Sequence, residues 1–204
     1  MAEHTLAWNV SHEVMGPLLE AAVEEMNPHG PFTVDDEATQ KAPKYAELVA
    51  GVFRVMSPAS WSHGITATAL ATLLDSLLGD RGIVGTHLPL KTAHNTLREP
   101  DVAVYLGRSA GDSQGATYPD FVPDLILEVT SRSTAAEDRG PKKAEYQGVG
   151  VREYYLLDPR TGEVEAFLLR DGRYVAVEPK DDEFPSAVLG QPWDPASVLP
   201  DRQA

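Results

Sequence analysis

The sequence reads REPDVAVY over residues 98–105 and PDLILEVTS over residues 123–131. Both stretches are apolar and have strand propensity, and each places one carboxylate, Asp101 or Glu128, inside the run or at its mouth. A carboxylate in such a position is costly unless it is paired, hydrogen-bonded or bound to a metal. If the two strands are neighbours, the two side chains form an oxygen-rich site suited to Mg²⁺ or Mn²⁺.

A lysine comes twelve or more residues after the second carboxylate, either Lys142 or Lys143. An ammonium group beside a metal site can stabilise the negative charge that develops on a phosphate during its hydrolysis. Two carboxylates and a lysine together are the components of a phosphodiester-cleaving centre. This combination indicates a nuclease.

Length and composition are those of one domain with extensions. The chain has 204 residues, 42% of them hydrophobic, which is enough to bury a core. Its apolar runs are far shorter than the roughly 18 residues that span a membrane. The chain contains no cysteine, so oxygen or histidine nitrogen must hold any metal. The first residues, MAEH, lack the basic start and apolar core of a secretory signal, and we expect a cytoplasmic protein.

The charge is unevenly distributed along the chain. The net charge of -14 argues against a general nucleic-acid binder, because phosphate contacts normally require excess Lys and Arg. Residues 1–40 carry eight acidic and no basic side chains, and residues 158–204 carry ten acidic and five basic ones. The middle, residues 41–157, is nearly neutral, with thirteen acidic and twelve basic side chains. Since the motifs lie in this middle part, the objection to a nucleic-acid substrate is weakened.

Hydrophobic periodicity predicts an α/β fold with a mixed sheet flanked by helices. We expect an acidic amphipathic helix over residues 11–26, delayed by Gly16-Pro17, and a second helix from His63 to Leu78. A capping box over residues 134–137 precedes a helix that starts at Pro141. The predicted strands are two short ones around Ala50-Gly51, then residues 83–91, 101–106, 124–130 and 153–157, and a hairpin of 163–169 with 173–177.

These elements predict three parts of the chain. Residues 1–40 form an acidic helical extension, residues 41–178 the α/β domain, and residues 179–204 an irregular, acidic and proline-rich tail. We expect the aromatic residues to pack in the core rather than to stack on nucleobases, Trp61 and Tyr146 among them. His87 and His94 do not have a spacing typical of metal ligands.

The ordered set of motifs resembles the PD-(D/E)xK, or restriction-endonuclease-like, superfamily. More closely, it is similar to the bacterial Uma family of candidate endonucleases, formerly a domain of unknown function. The matching motifs are ELVAG at 47–51, SWSH at 60–63, REPDVAV at 98–104, LILEVTSRST at 125–134, DRGPK at 138–142 and YQGVGVREYYLLDP at 146–159. Each is a weak signal alone, and their order over most of the chain makes the set fairly specific.

The resemblance implies a restriction-endonuclease-like mixed sheet with C-terminal hairpin strands, and a homodimer that hydrolyses nucleic acid, DNA rather than RNA, with Mg²⁺ or Mn²⁺. Asp101 and Glu128 carry over as metal ligands. The backbone carbonyl of Val129 and the early acidic residue Glu47 are further ligands in this pattern.

The resemblance also suggests which lysine is catalytic. In the superfamily this lysine usually lies two residues after the acidic one, where Thr130 stands here. In the Uma-like pattern it comes from the following helix, which indicates Lys142, with Lys143 as the alternative. His63, Arg132 and Lys143 are candidates for contacts with the substrate phosphate.

Each of these residues also has an ordinary structural interpretation. Asp101 could simply begin a strand after Pro100, and Glu128 could form a buried ion pair with Lys142 or Arg98. Glu47 could be a polar position on an edge strand, and His63 the first residue of a helix. At the level of function, the acidic ends favour a non-catalytic binding or regulatory module that retains the fold. A metal-dependent hydrolase of smaller phosphoesters is a third hypothesis.

Overall fold

The computed structural model describes residues 12–42, 46–56, 60–112 and 118–200. The first eleven residues of the predicted extension and the last four of the predicted tail therefore lie outside the described residues. The chain divides into two compact units. The first comprises residues up to 58 together with 93–98, and the second comprises residues 59–92 and 99 onward.

The chain contains both helices and strands, with the strands grouped in runs between the helices. The α-helices are α1 (His12–Met26), α2 (Glu37–Gln40), α3 (Trp61–Leu78), α4 (Ala135–Glu137) and α5 (Lys143–Val149). The strands are β1 (Ala46–Val49), β2 (Val52–Val55), β3 (Gly82–Gly85), β4 (Leu90–Ala93), β5 (Thr96–Arg98), β6 (Val102–Leu106), β7 (Leu125–Val129), β8 (Glu153–Asp158), β9 (Glu163–Arg170) and β10 (Arg173–Val177).

The first unit is built on an antiparallel sheet. The hairpin β1-β2 turns at Ala50-Gly51, where both residues have positive φ, and β5 pairs with the other side of β1. The rings of Phe32 and Phe53 pack 5.1 Å apart in its core. Helix α1 begins at His12 and continues through Pro17, so the prediction of a delayed start was wrong. Proline removes one backbone donor, and here the helix accommodates that loss.

The second unit contains a six-stranded mixed sheet in the order β10-β9-β8-β7-β6-β3. Strands β7 and β8 are parallel, and the other neighbouring pairs are antiparallel. Every residue of β7 is buried, which explains why LILEV reads as a continuous apolar run broken by one carboxylate. This arrangement confirms the predicted mixed-sheet α/β fold with C-terminal hairpin strands.

Two apolar clusters cover the faces of this sheet. Helix α3 packs its buried side, including Leu70, Leu74 and Leu78, against one face. Tyr146 of α5 belongs to the cluster on the other face. The segment after β10 has little regular structure, and yet its apolar side chains complete the α3 cluster: Phe184, Val188, Leu189, Trp193 and Ala196.

Several boundaries differ from the sequence predictions. The strand expected over 83–91 is divided into β3 and β4, with His87 between them at φ 50°. Thr134 precedes α4 without a capping bond, because its hydroxyl accepts a hydrogen bond from the Ser131 N–H. Helical structure begins at Ala135 and passes through a π-helical turn, Asp138–Lys142, that contains Pro141.

The predicted division at residues 40 and 178 stays a prediction. No helix within the described ranges is long and apolar enough to cross a membrane.

Candidate active site

Asp101 and Glu128 lie side by side because β6 runs antiparallel to β7. Val102 is opposite Leu127 in this pairing, so the residue before β6 lies beside Glu128. The Val129 N–H donates to Oδ2 of Asp101 at 2.8 Å, and the Asp101 N–H donates to Oε2 of Glu128 at 3.3 Å. Both side chains are buried, with residue exposures of 8% for Asp101 and 1% for Glu128. The sheet therefore holds two neighbouring carboxylates in a dry environment.

The helical segment that follows β7 supplies the cation. Asp138, Lys142 and Tyr146 are spaced four residues apart and therefore lie on one helical face. Nζ of Lys142 donates to Oε1 of Glu128 at 3.0 Å and lies 3.4 Å from Oδ1 of Asp138. The Tyr146 hydroxyl donates to the same Glu128 oxygen at 2.8 Å. Lys142 thus lies between two buried carboxylates.

Two histidines approach the other oxygen of Asp101. Nε2 of His63 lies 3.0 Å from Oδ1 of Asp101, and Nδ1 of His87 lies 3.9 Å from the same atom. His63 is in the first turn of α3, where its own N–H is capped by the Ser60 hydroxyl. The His63 side chain is mostly buried, whereas that of His87 is 45% exposed.

The charges of this cluster are unbalanced. The pKa of Glu128 is raised to about 8, chiefly by burial and in smaller part by the neighbouring Asp101 and Asp138, against the opposing effect of Lys142. Burial likewise raises the pKa of Asp138. Burial also acts to raise the pKa of Asp101, but the hydrogen bond with His63 and the charges of His63 and Lys142 outweigh it, so that pKa is lowered. The hydrogen bond to Asp101 raises the pKa of His63.

These donors have the chemistry that a hard divalent cation requires. Within the ranges the structure describes, no group of three or more His, Asp and Glu side chains is arranged to hold a metal. Mg²⁺, however, is commonly held by one or two carboxylates together with water and substrate phosphate. Asp101 and Glu128 provide such a pair, and a bound cation would favour the ionised form of Glu128, which burial and the neighbouring carboxylates disfavour.

The other predicted residues lie elsewhere or serve other contacts. Glu47 belongs to the first unit, where its carboxylate accepts a hydrogen bond from Arg98 at 3.0 Å, and its role as a ligand stays a prediction. Nζ of Lys143 lies 3.4 Å from the centre of the Phe167 ring, so Lys142 alone of the two lysines reaches Glu128. Arg132 is exposed in the turn after β7. The ligand role of the Val129 carbonyl also stays a prediction.

Sequence reasoning missed three members of the cluster and misplaced one aromatic residue. The spacing of Asp138, Lys142 and Tyr146 is a signal that could have identified Asp138 and Tyr146. His87 lies in an irregular segment, and no periodicity indicates that it approaches Asp101. The prediction that Trp61 packs in the core was wrong, because this residue is 86% exposed.

A mixed sheet that brings two buried carboxylates and a lysine together has the components of a nuclease-like site. Comparison with known families supports this class. Residues 36–197 match the family model Uma2, described as "Putative restriction endonuclease". The chain therefore belongs to the Uma2 family.

A solved structure has the same fold. The crystal structure of a "putative nuclease belonging to DUF820" from Anabaena variabilis ATCC 29413 aligns with a TM-score of 0.67. The alignment covers 83% of this chain and 98% of that one, at 14% sequence identity. At this identity the likeness concerns the fold alone. No curated protein matches the chain.

Proposed function

We propose that this protein is a divalent-metal-dependent endonuclease that hydrolyses phosphodiester bonds, with DNA as its substrate. The observation that carries the proposal is the contact of Lys142 with Glu128 beside Asp101. Membership of the Uma2 family and the nuclease-like fold support the same class of reaction.

The side chains have separable roles in this proposal. Asp101 and Glu128 would hold Mg²⁺ or Mn²⁺, which when bound would polarise a phosphate oxygen and lower the pKa of a water molecule. Lys142 would orient the attacking water through Nζ and stabilise the charge developing on phosphate. Asp138 and Tyr146 would position Lys142 and Glu128 through the contacts already described. His63 would hold the orientation of the Asp101 carboxylate.

A homodimer, which would carry two such sites, completes the proposal. The Val129 carbonyl would complete the ligand set. The nearly neutral middle of the chain is compatible with a nucleic-acid substrate, whereas the acidic residues 1–40 would repel one.

The test is cleavage of supercoiled and single-stranded DNA in the presence of Mg²⁺ or Mn²⁺. Asp101→Ala and Lys142→Ala should lose cleavage by about 100-fold or more while remaining folded. Lys143→Ala is the matched control for Lys142→Ala. It removes the adjacent lysine, which lies over the Phe167 ring, and retains the contact of Lys142 with Glu128. Asp158→Asn is the control for the aspartate, since Asp158 is also 8% exposed and its carboxylate pairs with Arg160 rather than with a member of this cluster.

The outcomes separate the hypotheses. Cleavage by the wild type and both controls, and not by the two site variants, would establish a metal-dependent nuclease. DNA binding without cleavage in any variant or metal would favour the non-catalytic binding module.

A further inference from the structure

Trp61, the first residue of α3, exposes 86% of its surface. Ile65, one turn further along the same helical face, is 55% exposed. The rest of this exposed face is polar, with Thr68, Thr72 and Asp75. The exposed apolar surface of α3 is therefore confined to the end that carries His63. It consists of Trp61 and Ile65, here called the apolar patch.

The helix leaves open space beside this patch. Gly64 lies on the other side of Trp61 from Ile65, and a Cβ atom built there would meet no atom within 4 Å outside its own stretch of helix. Glycine in a helix interior costs about 1 kcal/mol relative to alanine. Internal packing does not require glycine here, and its lack of a side chain leaves room for a ligand on this part of α3.

Many basic side chains of the described residues already have partners within the protein. Several pair with carboxylates: Lys41 with Glu37, Arg98 with Glu47, Arg139 with Glu165, Arg152 with Asp124, Arg160 with Asp158 and Lys142 with Glu128. Lys143 and Arg108 lie over the rings of Phe167 and Phe121. In a chain of net charge -14, affinity for a nucleic acid must then depend heavily on its uncharged part, the bases.

The patch lies in the helical turn that carries His63. The His63 ring contacts Asp101, and Trp61, two residues earlier, lies on a different side of the helix. A nucleic acid bound at Asp101 would therefore reach Trp61 only by passing around the end of α3, with a nucleotide that flanks the cleaved phosphate. In a duplex the faces of the bases are covered by their neighbours, so an indole can stack only on a base that is unpaired or unstacked.

We infer that the apolar patch is a stacking platform for an unpaired nucleobase, and that the substrate is single-stranded or locally unpaired DNA. This inference rests on the proposed nuclease function and names its substrate class. Trp61 acts in it as a substrate-binding residue, since it contacts the base and no reacting atom.

The experiment compares three DNA probes of equal length: a single strand, its duplex, and a single strand with abasic sites in place of its bases. Binding is measured by fluorescence anisotropy in EDTA and cleavage in Mg²⁺. Stacking on an aromatic side chain contributes about 1–3 kcal/mol per base. Trp61→Ala should therefore weaken binding of the ordinary single strand about tenfold or more and leave binding of the abasic strand unchanged. Trp61→Phe should retain most of the affinity, and Gly64→Leu should reduce it.

Val175→Ala is the control, because Val175 is another exposed apolar residue, 43% exposed on β10. Unchanged binding and cleavage by Trp61→Ala, with an active wild type, would overturn the stacking platform and leave the nuclease proposal intact. A wild type that neither binds nor cuts any probe would overturn both. If Trp61→Ala converts a dimer to a monomer and weakens all probes equally, the patch contacts a second copy of the chain, and the inference is wrong.

Discussion

The adjacent parallel strands β7 and β8 each bury one glutamate, and the two side chains have opposite surroundings. Glu128, near the end of β7, is 1% exposed, and Glu153, at the start of β8, is 2% exposed. Leu125 is opposite Glu153 in the pairing and Glu128 is opposite Leu156. The two glutamates therefore lie at opposite ends of the strand pair and, by the alternation of side chains, on opposite faces of the sheet.

Glu153 is surrounded by neutral donors. It accepts hydrogen bonds from the hydroxyls of Tyr155 and Ser186 and from the N–H groups of Ala187 and Val188. These bonds fasten the C-terminal segment to the sheet. Glu128 instead lies among charged groups, with Lys142 on one side and two further carboxylates nearby. Burial is the same at both glutamates, so it is the unbalanced charge around Glu128 that marks a candidate functional site.

The largest effect on stability should come from Glu153→Ala. This change removes the acceptor of the Ser186 hydroxyl and of the Ala187 and Val188 N–H groups, while the Tyr155 hydroxyl keeps the Pro185 carbonyl. A buried donor left unsatisfied costs about 1–3 kcal/mol. We expect the free energy of unfolding, measured by urea denaturation, to fall by at least about 3 kcal/mol. Glu163→Ala, on the exposed start of β9, is the control and should change it by less than about 0.5 kcal/mol. If Glu153→Ala lowers the free energy of unfolding by less than about 1 kcal/mol, Glu153 does not have this structural role.

A second effect, specific to Glu128, concerns pH. The pKa of Glu128 is about 8 in the folded protein and has its ordinary value of 4.5 when unfolded. Between these values the folded state binds one more proton than the unfolded state, so stability is lost as pH rises through this range. In metal-free buffer, the free energy of unfolding should fall from about pH 5 to pH 8, and Glu128→Gln should fall less. Parallel profiles for the two proteins would contradict the electrostatic account of this site.

The smallest effect compares two tyrosine hydroxyls. Tyr146 donates to Glu128 and Tyr155 donates to Glu153, so Tyr146→Phe and Tyr155→Phe each remove one donor to a buried glutamate. Each should lower the free energy of unfolding by about 0.5–1.5 kcal/mol. Tyr146→Phe alone should also weaken Mg²⁺ binding near neutral pH, because the Tyr146 hydroxyl lowers the pKa of Glu128. Equal metal affinity in the two variants would indicate that the hydroxyl has no influence on the site.

The sequence was sufficient to predict the mixed-sheet fold and to predict that Asp101, Glu128 and Lys142 lie close together. A carboxylate inside an apolar run is a strong local signal, and the order of motifs relates one strand to the next. The roles of these residues stay a prediction. The same signal did not distinguish Glu128 from Glu153, which lies at the start of an apolar run. The difference between them depends on the donors to Glu153, which come from residues 155 and 186–188.

Other features depend on contacts that periodicity does not report. The acidic composition after Pro179 predicts an irregular tail, and only the folded structure shows Phe184 and Trp193 buried in the core. His87 approaches Asp101 from a segment without regular structure. Adjacent lysines cannot be distinguished by composition, whereas the helical register directs Lys142 to Glu128 and Lys143 to Phe167.

The most direct test of the central claim is a calorimetric titration of Mg²⁺ into the wild type, Glu128→Gln and Glu153→Gln. If the unbalanced charge around Glu128 marks a metal site, the wild type and folded Glu153→Gln should bind with similar affinity, and Glu128→Gln should bind at least about tenfold more weakly. Equal binding by Glu128→Gln and the wild type, or no binding by the wild type, would contradict the claim.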